Sequence, residues 1–407
     1  MNIIYLHQYF TTPEHFGGVR SYQFAKRLVE EGHQVDLITS SAFFPVPRKS
    51  RFQWVSRQEV DGIKIHAIHV EYNNGMSYLR RIYAFILFML VSTFYSLTLP
   101  RCNVLYASST PLTIAIPALI YCQIKRVPLV FEVRDLWPDI PVTLGILRSK
   151  TLIKGLYWFE RHIYRFSKKV VVLSTGMLDE LLKKDVPRDK IVVVPNACDL
   201  QDFTADISTN EKLNVIRGES NSRICIYAGT FGYVNNLEYL IDLAEQIKYQ
   251  GGNVKFLLIG DGIEKPKLQA LVRDKELGCH VLFMPAISKA RLIPFLKAAD
   301  ACLSIVRDVP VLYNNSANKF FDSLAAGKPI IINHGGWQAK IIEENEIGLV
   351  LGPDMKKSAH RLLGFLDQIE TISAERILAV ARKNYSRDGL FERLWKEAIY
   401  PSALLEL

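Results

Sequence analysis

Residues 314–336 read NNSANKFFDSLAAGKPIIINHGG, and the order of residue types in this stretch decides what kind of domain surrounds it. Polar residues open a helix-period segment, Lys319 falls in its first turn, and Asp322 follows one turn later. Ala-Ala-Gly327 ends that helix, and Lys328-Pro329 keeps it from resuming. Ile330-Ile331-Ile332 is then a short apolar run of the kind buried in a parallel sheet, closed by the turn His334-Gly335-Gly336. A helix N-terminus offers free N–H groups and a positive dipole end, so a lysine beside it is placed to hold an anion. Asp322, further along, is placed to accept hydrogen bonds from a ribose diol. The bland alternative is an exposed helix face, but Phe320-Phe321 and the AAG turn tie this helix to a core.

The same grammar runs through the rest of the chain. IIYLHQYF, QVDLITS, KIHAIHV, NVLYASS, PLVFEV, KVVVLS and IVVVPN are strand candidates in the first half, separated by amphipathic segments such as RSYQFAKRLVEEGH. After residue 222 the alternation restarts with RICIYAGT, VKFLLIGDG, VLFMPA, ACLSIV and PIIIN. Strands alternating with helices predict parallel sheets covered on both faces, and two such runs predict two Rossmann-like α/β domains. The polar stretch 196–222, rich in turn formers, reads as the joint. The boundaries expected are 1–197, 198–385 and a final segment, 386–407, whose helix-period aromatics suit a helix crossing back to the first domain.

A length of 407 residues with 49% apolar content is too much for one ordinary core and agrees with two. Six scattered cysteines form no C-x-x-C pair or Cys/His cluster, which argues against a disulfide framework or a metal site and for a reducing compartment. The opening MNIIYLHQYF reads as a first buried strand and not as an export signal. Residues 1–197 carry 25 Lys and Arg against 15 Asp and Glu, whereas residues 198–407 carry 25 against 26, so the excess positive charge lies in the first half. Drift of surface charge explains this blandly; a surface for anionic lipid or phosphate-bearing acceptors explains it functionally. No recognition module or basic tail accompanies the charge, so nucleic acid is not expected as a partner. Between Arg81 and Arg101 the segment MSYLRRIYAFILFMLVSTFYSLTLPRC carries no charge and just reaches the length of a membrane span. Ser92, Thr93, Ser96 and Thr98 dilute it and strands flank it, so a core-facing or membrane-dipping helix is expected over a true span.

Three further stretches stand where open α/β sheets gather ligands. In HFGGVRSYQFAKRL (15–28), Gly17 and Gly18 let a ligand approach the backbone and Arg20 adds a cation, though a plain strand-to-helix turn would read the same. In PLVFEVRDLWPDIPVTLG (128–145), Arg134, Asp135, Trp137 and Asp139 follow a strand; a ligand site and an internal ion pair are both compatible with them. In GTFGYVNNLEYL (229–240), Gly229 and Thr230 begin a turn that carries no Lys or Arg, so Lys319 and Arg307 are the candidate cations for a diphosphate there.

These motifs, in this order, make the chain resemble glycosyltransferase family 4, the retaining nucleotide-sugar enzymes of the GT-B fold, nearly from end to end. FGGVR, the linker VVLSTGMLDELLKKDVPRDKIVVVPNACDLQDF, YAGTFGYVNNLEYL, FLLIGDGIEKPKL, the AAD at 298–300 and DSLAAGKPIIINHGG carry the resemblance. Within the family it is similar to bacterial O-antigen and capsule transferases of the WbuB-like L-fucosamine transferase type. Where relatives have two Glu separated by seven residues this chain has Asn314 and Asp322, and where many have His-Asp it has Arg134-Asp135.

The resemblance implies two Rossmann-like domains whose parallel sheets face a central cleft. It implies Lys319, Arg134 and Asp135 as catalytic residues. Gly17, Gly18, Gly229, Thr230, Arg307, Asn314, Asn315, Ser316 and Asp322 are implied at the donor, and Arg20 and Trp137 at the acceptor. It implies transfer of a sugar, of the N-acetylamino class, from a UDP-sugar to a polyprenyl-diphosphate-linked saccharide at the inner face of the cell membrane, with no cofactor and no metal. A nucleotide-sugar epimerase or hydrolase of the same fold, and a non-catalytic scaffold, are the alternatives.

Overall fold

The computed structural model describes every residue except 16, 51, 73–75, 205–210, 219–220 and 405–407, and every described side chain except that of Tyr78. The chain divides into two units, 1–195 with 388–407, and 196–387. The first holds β1 (Asn2–Leu6), β2 (Gln34–Ser40), β3 (Val55–Val60), β4 (Ile63–Ile68), β5 (Val104–Ser108), β6 (Leu129–Val133), β7 (Lys169–Val172) and β8 (Ile191–Val193). They form one sheet in the order β3-β4-β2-β1-β5-β6-β7-β8, parallel except for the pairing of β3 with β4. The second holds β9 (Arg223–Ala228), β10 (Val254–Ile259), β11 (Val281–Met284), β12 (Ala301–Ser304), β13 (Ile330–Ile332) and β14 (Gly348–Val350). Its order is β11-β10-β9-β12-β13-β14, all parallel.

Both sheets are doubly wound, so each has a point where the strand order reverses and the loops at the carboxyl ends diverge. In the first unit that point lies between β1 and β5, and in the second between β9 and β12. The residues quoted above from the second domain follow β9 and β12, beside its reversal.

Two strands escaped the sequence reading. β3 (VSRQEV) is a mostly exposed edge strand with little apolar pattern. Its signal was the Asp61-Gly62 pair, whose positive φ values of 49° and 76° make the two-residue hairpin turn into β4. β14 is only three half-buried residues. The stretch 196–222, read as a joint, belongs to the second unit. Phe203 and Leu213 are buried there with β9 residues, while 205–210 and 219–220 lie outside the described residues. The chain changes units at two points instead, Pro195/Asn196 and Arg387/Asp388. Beyond the second, residues 388–404 fold onto the first unit: Trp395 stacks on His33 at 4.5 Å, Phe391 meets Phe24, and Asp388 pairs with Arg27 at 2.6 Å.

The apolar segment after β4 is a helix, Tyr78–Thr98, that returns the chain from β4 to β5 in the same sheet. Ala84, Phe88, Ser92 and Ser96, spaced by four, are buried on one side, and the hydroxyls of Ser92 and Ser96 bond back to Met89 and Thr93 carbonyls. It therefore packs along the fold, against the helix Ala115–Lys125.

Arg20 corrects the acceptor assignment. It is 1% exposed, and its guanidinium is spent inside the first unit on Glu132 at 2.8 Å and on the carbonyls of Val194 and Pro195. Glu132, itself 0% exposed, also accepts from Tyr106 and Ser108. Burial alone would raise its pKa, but Arg20, Arg134 and these hydroxyls bring it down from 4.5 to about 2. No acceptor reaches a side chain so enclosed. Arg20→Ala leaves Glu132 buried without its partner and is expected to cost about 3–5 kcal/mol in urea unfolding. Because the folded pKa lies below the ordinary one, the Glu132 contribution is present above about pH 4.5 and lost toward pH 2, and an acid titration of the stability of the wild type is expected to show that loss.

Candidate functional site

At the reversal point of the second unit, β9 ends in Ala228 and the backbone turns at Gly229 against the loop following β10. Gly229 N–H donates to Ile259 and Phe231 N–H to Asp261, at 3.0 and 2.9 Å. The approach is so close that a Cβ on Gly260 would lie 1.9 Å from the Gly229 carbonyl oxygen, and one on Gly262 would lie 2.4 Å from that of Phe231. The GDG after β10 is thus what fixes the Gly229 turn, a packing requirement that spacing alone does not announce.

Across this turn stands the helix Asn318–Ala325, with Lys319 as its second residue. The Lys319 ammonium lies 3.1 Å from Asn235 Oδ1 and 3.3 Å from Tyr227 Oη, and 4.6 Å from the centre of the Tyr227 ring. Its Cε would be 3.4 Å from a Cβ on Gly229. Both acceptors are oriented by one carbonyl, that of Thr230, which accepts from Tyr227 Oη–H and from Asn235 Nδ2–H at 2.9 Å each. Among the described residues no carboxylate pairs with Lys319. Desolvation with only neutral partners pulls its pKa down from 10.5 to about 8. The result is a partly buried cation on a helix N-terminus, facing a glycine turn, with neutral partners.

Around it, His334 is buried and stacks on Tyr313, with Nδ1 2.7 Å from the Gly335 carbonyl. Nδ1–H therefore donates and Nε2 carries the lone pair, with no partner among the described residues. Burial pushes the imidazole pKa down, so the ring is neutral. Arg307 stacks on Tyr233 at 3.8 Å and donates to its carbonyl, which locks the turn 233–235 that carries Asn235.

Asp322 leaves the same helix toward different partners. Its carboxylate is 3.3 Å from Lys289, which also binds Asp199 at 2.5 Å, while Asp199 is held by Arg387 at 2.8 and 3.0 Å. Burial raises the Asp322 pKa, Lys289 opposes and Asp199 adds to the rise. Three carboxylates, those of Asp199, Asp202 and Asp322, share one lysine here and only Asp199 also has Arg387, so Asp322 is under-compensated. It is a strong acceptor, 17% exposed, fit for hydroxyl donors.

The other donor residues expected from sequence are largely occupied by structure. Asn315 accepts from Ala317 N–H through its side chain, and from Trp337 and Gln338 through its carbonyl. Ser316 is tied at both its hydroxyl and its carbonyl to Asn196, the first residue after the crossing. Asn314 ends the 3-10 turn Pro310–Asn314, half-buried. These two clamps set the entry of the 318–325 helix and make Asn315 and Ser316 positioning residues.

Gly17, Gly18, Arg134, Asp135 and Trp137 lie in the first unit. Arg134 donates to His7 Nε2 at 3.2 Å, and Ser21 Oγ is 2.9 Å from His7 Nδ1. Burial, with Arg134 adding, lowers the His7 pKa to about 3, so this ring is neutral as well. Asp135 accepts from Thr110 at 2.9 Å. Trp137 is half-buried beside it, and Gly17 packs on Thr11. Asp139 is engaged elsewhere, with Lys184 and Tyr157. His7 and Ser109, whose hydroxyl accepts from Arg134 N–H at 3.0 Å, were not read from the sequence. They sit at strand ends, which is the signal that would have found them. Among the described residues no group of His, Cys, Asp and Glu is arranged to hold a metal ion.

Residues 17–197 match the glycosyl transferase 4-like domain family, and residues 208–383 match the glycosyl transferases group 1 family. The chain belongs to the GT-B glycosyltransferases. The structure of Alr3699/HepE from Anabaena, in complex with UDP and glucose, superimposes on this glycosyltransferase with a TM-score of 0.69 over 100% of both chains, at 16% identity. In sequence it is 24% identical over 191 residues to the uncharacterized glycosyltransferase MJ1607 of Methanocaldococcus jannaschii, covering 46% of this chain and 47% of that one. It is 22% identical over 249 residues to the alpha-D-kanosaminyltransferase of Streptomyces kanamyceticus, covering 59% and 62%. The chain thus spans about half to three-fifths of the length of these curated relatives.

Because Gly260 touches the Gly229 carbonyl, Gly260→Ala is expected to lower the stability of the second unit by about 1–3 kcal/mol. Gly364→Ala, in a helix with open space around it, is expected to be neutral or stabilising. Urea unfolding followed by Trp337 fluorescence checks both.

Proposed function

We propose that this glycosyltransferase moves a sugar, with retention at the anomeric carbon, from a UDP-linked donor to a saccharide carried on polyprenyl diphosphate. The donor class we favour is an N-acetylamino sugar such as L-fucosamine, and the setting is O-antigen or capsule synthesis at the cytoplasmic face of the membrane. The observation that carries the reading is Lys319: a desolvated ammonium with no carboxylate partner among the described residues, at a helix N-terminus and beside the Gly229 turn. A diphosphate supplies the missing negative charge. The solved relative with UDP and the relative named for kanosamine support the nucleotide and the amino sugar.

In the reaction the bond between the anomeric carbon and the diphosphate oxygen breaks, and its electron pair stays on the diphosphate. The acceptor hydroxyl oxygen bonds to that carbon from the same face and gives its proton to the departing diphosphate. The charge that grows on the leaving group is met by the Lys319 ammonium and the N–H groups of Asn318 and Lys319 at the start of the helix, already oriented before reaction. Asp322 accepts from the ribose hydroxyls and places the nucleoside. His334, neutral and with a free lone pair, accepts from a donor hydroxyl or amide. Asn314, standing where a second carboxylate is common, makes hydrogen bonds to the sugar but brings no charge. Arg134 with His7, and Asp135, serve the acceptor side.

The pKa of about 8 gives this reading a pH signature. The free protein carries a neutral Lys319 increasingly above pH 8, and diphosphate binding restores the proton. UDP affinity is therefore expected to fall toward tenfold per pH unit above pH 8, with proton uptake on binding measured by calorimetry in buffers of different ionisation enthalpy. Lys319→Arg is expected to abolish this dependence. Lys319→Ala is expected to abolish transfer and the stabilisation of the fold by UDP. A Lys319→Ala protein still stabilised by UDP to the same degree contradicts the assignment.

A further inference from the structure

The first unit carries a second chemistry that transfer between soluble groups leaves unused. On the helix 78–98 the side opposite its buried residues presents Leu79, Tyr83, Ile86, Leu90 and Phe94, between 45% and 77% exposed. An apolar stripe of this length on a folded unit marks a contact surface. The helix 115–125 packs between this helix and Lys150–Phe166, so all three belong to one layer on the sheet. The third helix is buried through Glu160, Ile163 and Tyr164 and turns Lys150, Lys154, Arg161 and Arg165 to solvent. Among the described residues none of these four pairs with a carboxylate, and Trp158 stands among them, 67% exposed. From Ile146 to Lys169 there are seven Lys and Arg and a single acid, the buried Glu160. Most of the positive excess of the first half is concentrated here.

We infer that this helical layer docks on an anionic lipid bilayer: the 78–98 stripe enters the interface while the basic face of 150–166 and Trp158 lie on the headgroups. The charge selects the occupant. A second copy of this chain would set like charges against like, whereas anionic headgroups neutralise them and accept the aromatic and apolar side chains beneath. The inference rests on the lipid-acceptor reading for its purpose, since a lipid-carried saccharide is met at such a surface, but its test needs no donor.

Flotation is compared on phosphatidylcholine vesicles with and without phosphatidylglycerol. Wild type is expected to float only with the anionic vesicles. Lys154→Glu/Arg161→Glu/Arg165→Glu is expected to bind them more than about tenfold less, and Tyr83→Ser/Leu90→Ser/Phe94→Ser to lose binding at raised salt. Circular dichroism melts verify that each variant is folded. Lys319→Ala is expected to float like wild type, so a failed donor site and a failed docking surface give different results. Equal flotation of all variants, or none by wild type, overturns the inference. So does a dimer in sedimentation equilibrium that the Tyr83/Leu90/Phe94 variant dissolves, because the stripe would then belong to a second copy.

Discussion

A lysine ammonium held by a phenol and an amide, with no carboxylate among the described residues to neutralise it, is the constraint on which the second unit is organised. Tyr227 sits at the end of β9, Asn235 on the turn that Arg307 locks, and both are aimed by the Thr230 carbonyl. Gly260 and Gly262 let the two strand-end loops close enough to hold that carbonyl where it is. A fold whose aim was stability alone would have placed an acid beside Lys319. The neutral cage costs affinity for the proton.

The first unit shows the opposite solution. Arg20 and Glu132 are also buried charges, but each is fully matched, and they fasten the core strands to the last residues before the crossing. The cluster of Asp199, Lys289, Arg387 and Asp322 stands between the two cases. Asp199 has both Arg387, the last residue of the second unit, and Lys289, while Asp322 is left with part of one lysine. Completeness of pairing thus separates Arg20 and Glu132, which build the first unit, from Lys319 and Asp322, the residues proposed for the donor.

Sequence reasoning reached the sheets, their parallel sense and the Lys319 helix because these depend on local patterns. Apolar runs, glycine stops and the identity of a helix's first residues all lie within a few positions of one another. It went astray where the deciding partner was distant. Arg20 looks like a ligand cation until Glu132, 112 residues away, is seen against it. Asn315 and Ser316 read from sequence as sugar contacts alone, and the structure adds their bonds to Gln338 and Asn196, both distant in the chain. His7 was passed over although it ends a strand, because one of the partners that mark it, Arg134, lies far along the chain, and the hairpin strand β3 because its edge position frees it from apolar alternation. The basic face of 150–166 was visible only as a charge total until the fold showed which side of the helix was buried.

The most direct measurement is a crystal structure with UDP bound. The account requires the diphosphate to lie on the N-terminus of the 318–325 helix within hydrogen-bond distance of Lys319 Nζ, with a ribose hydroxyl on Asp322. A diphosphate bound elsewhere, with Lys319 still resting only on Tyr227 and Asn235, would contradict it.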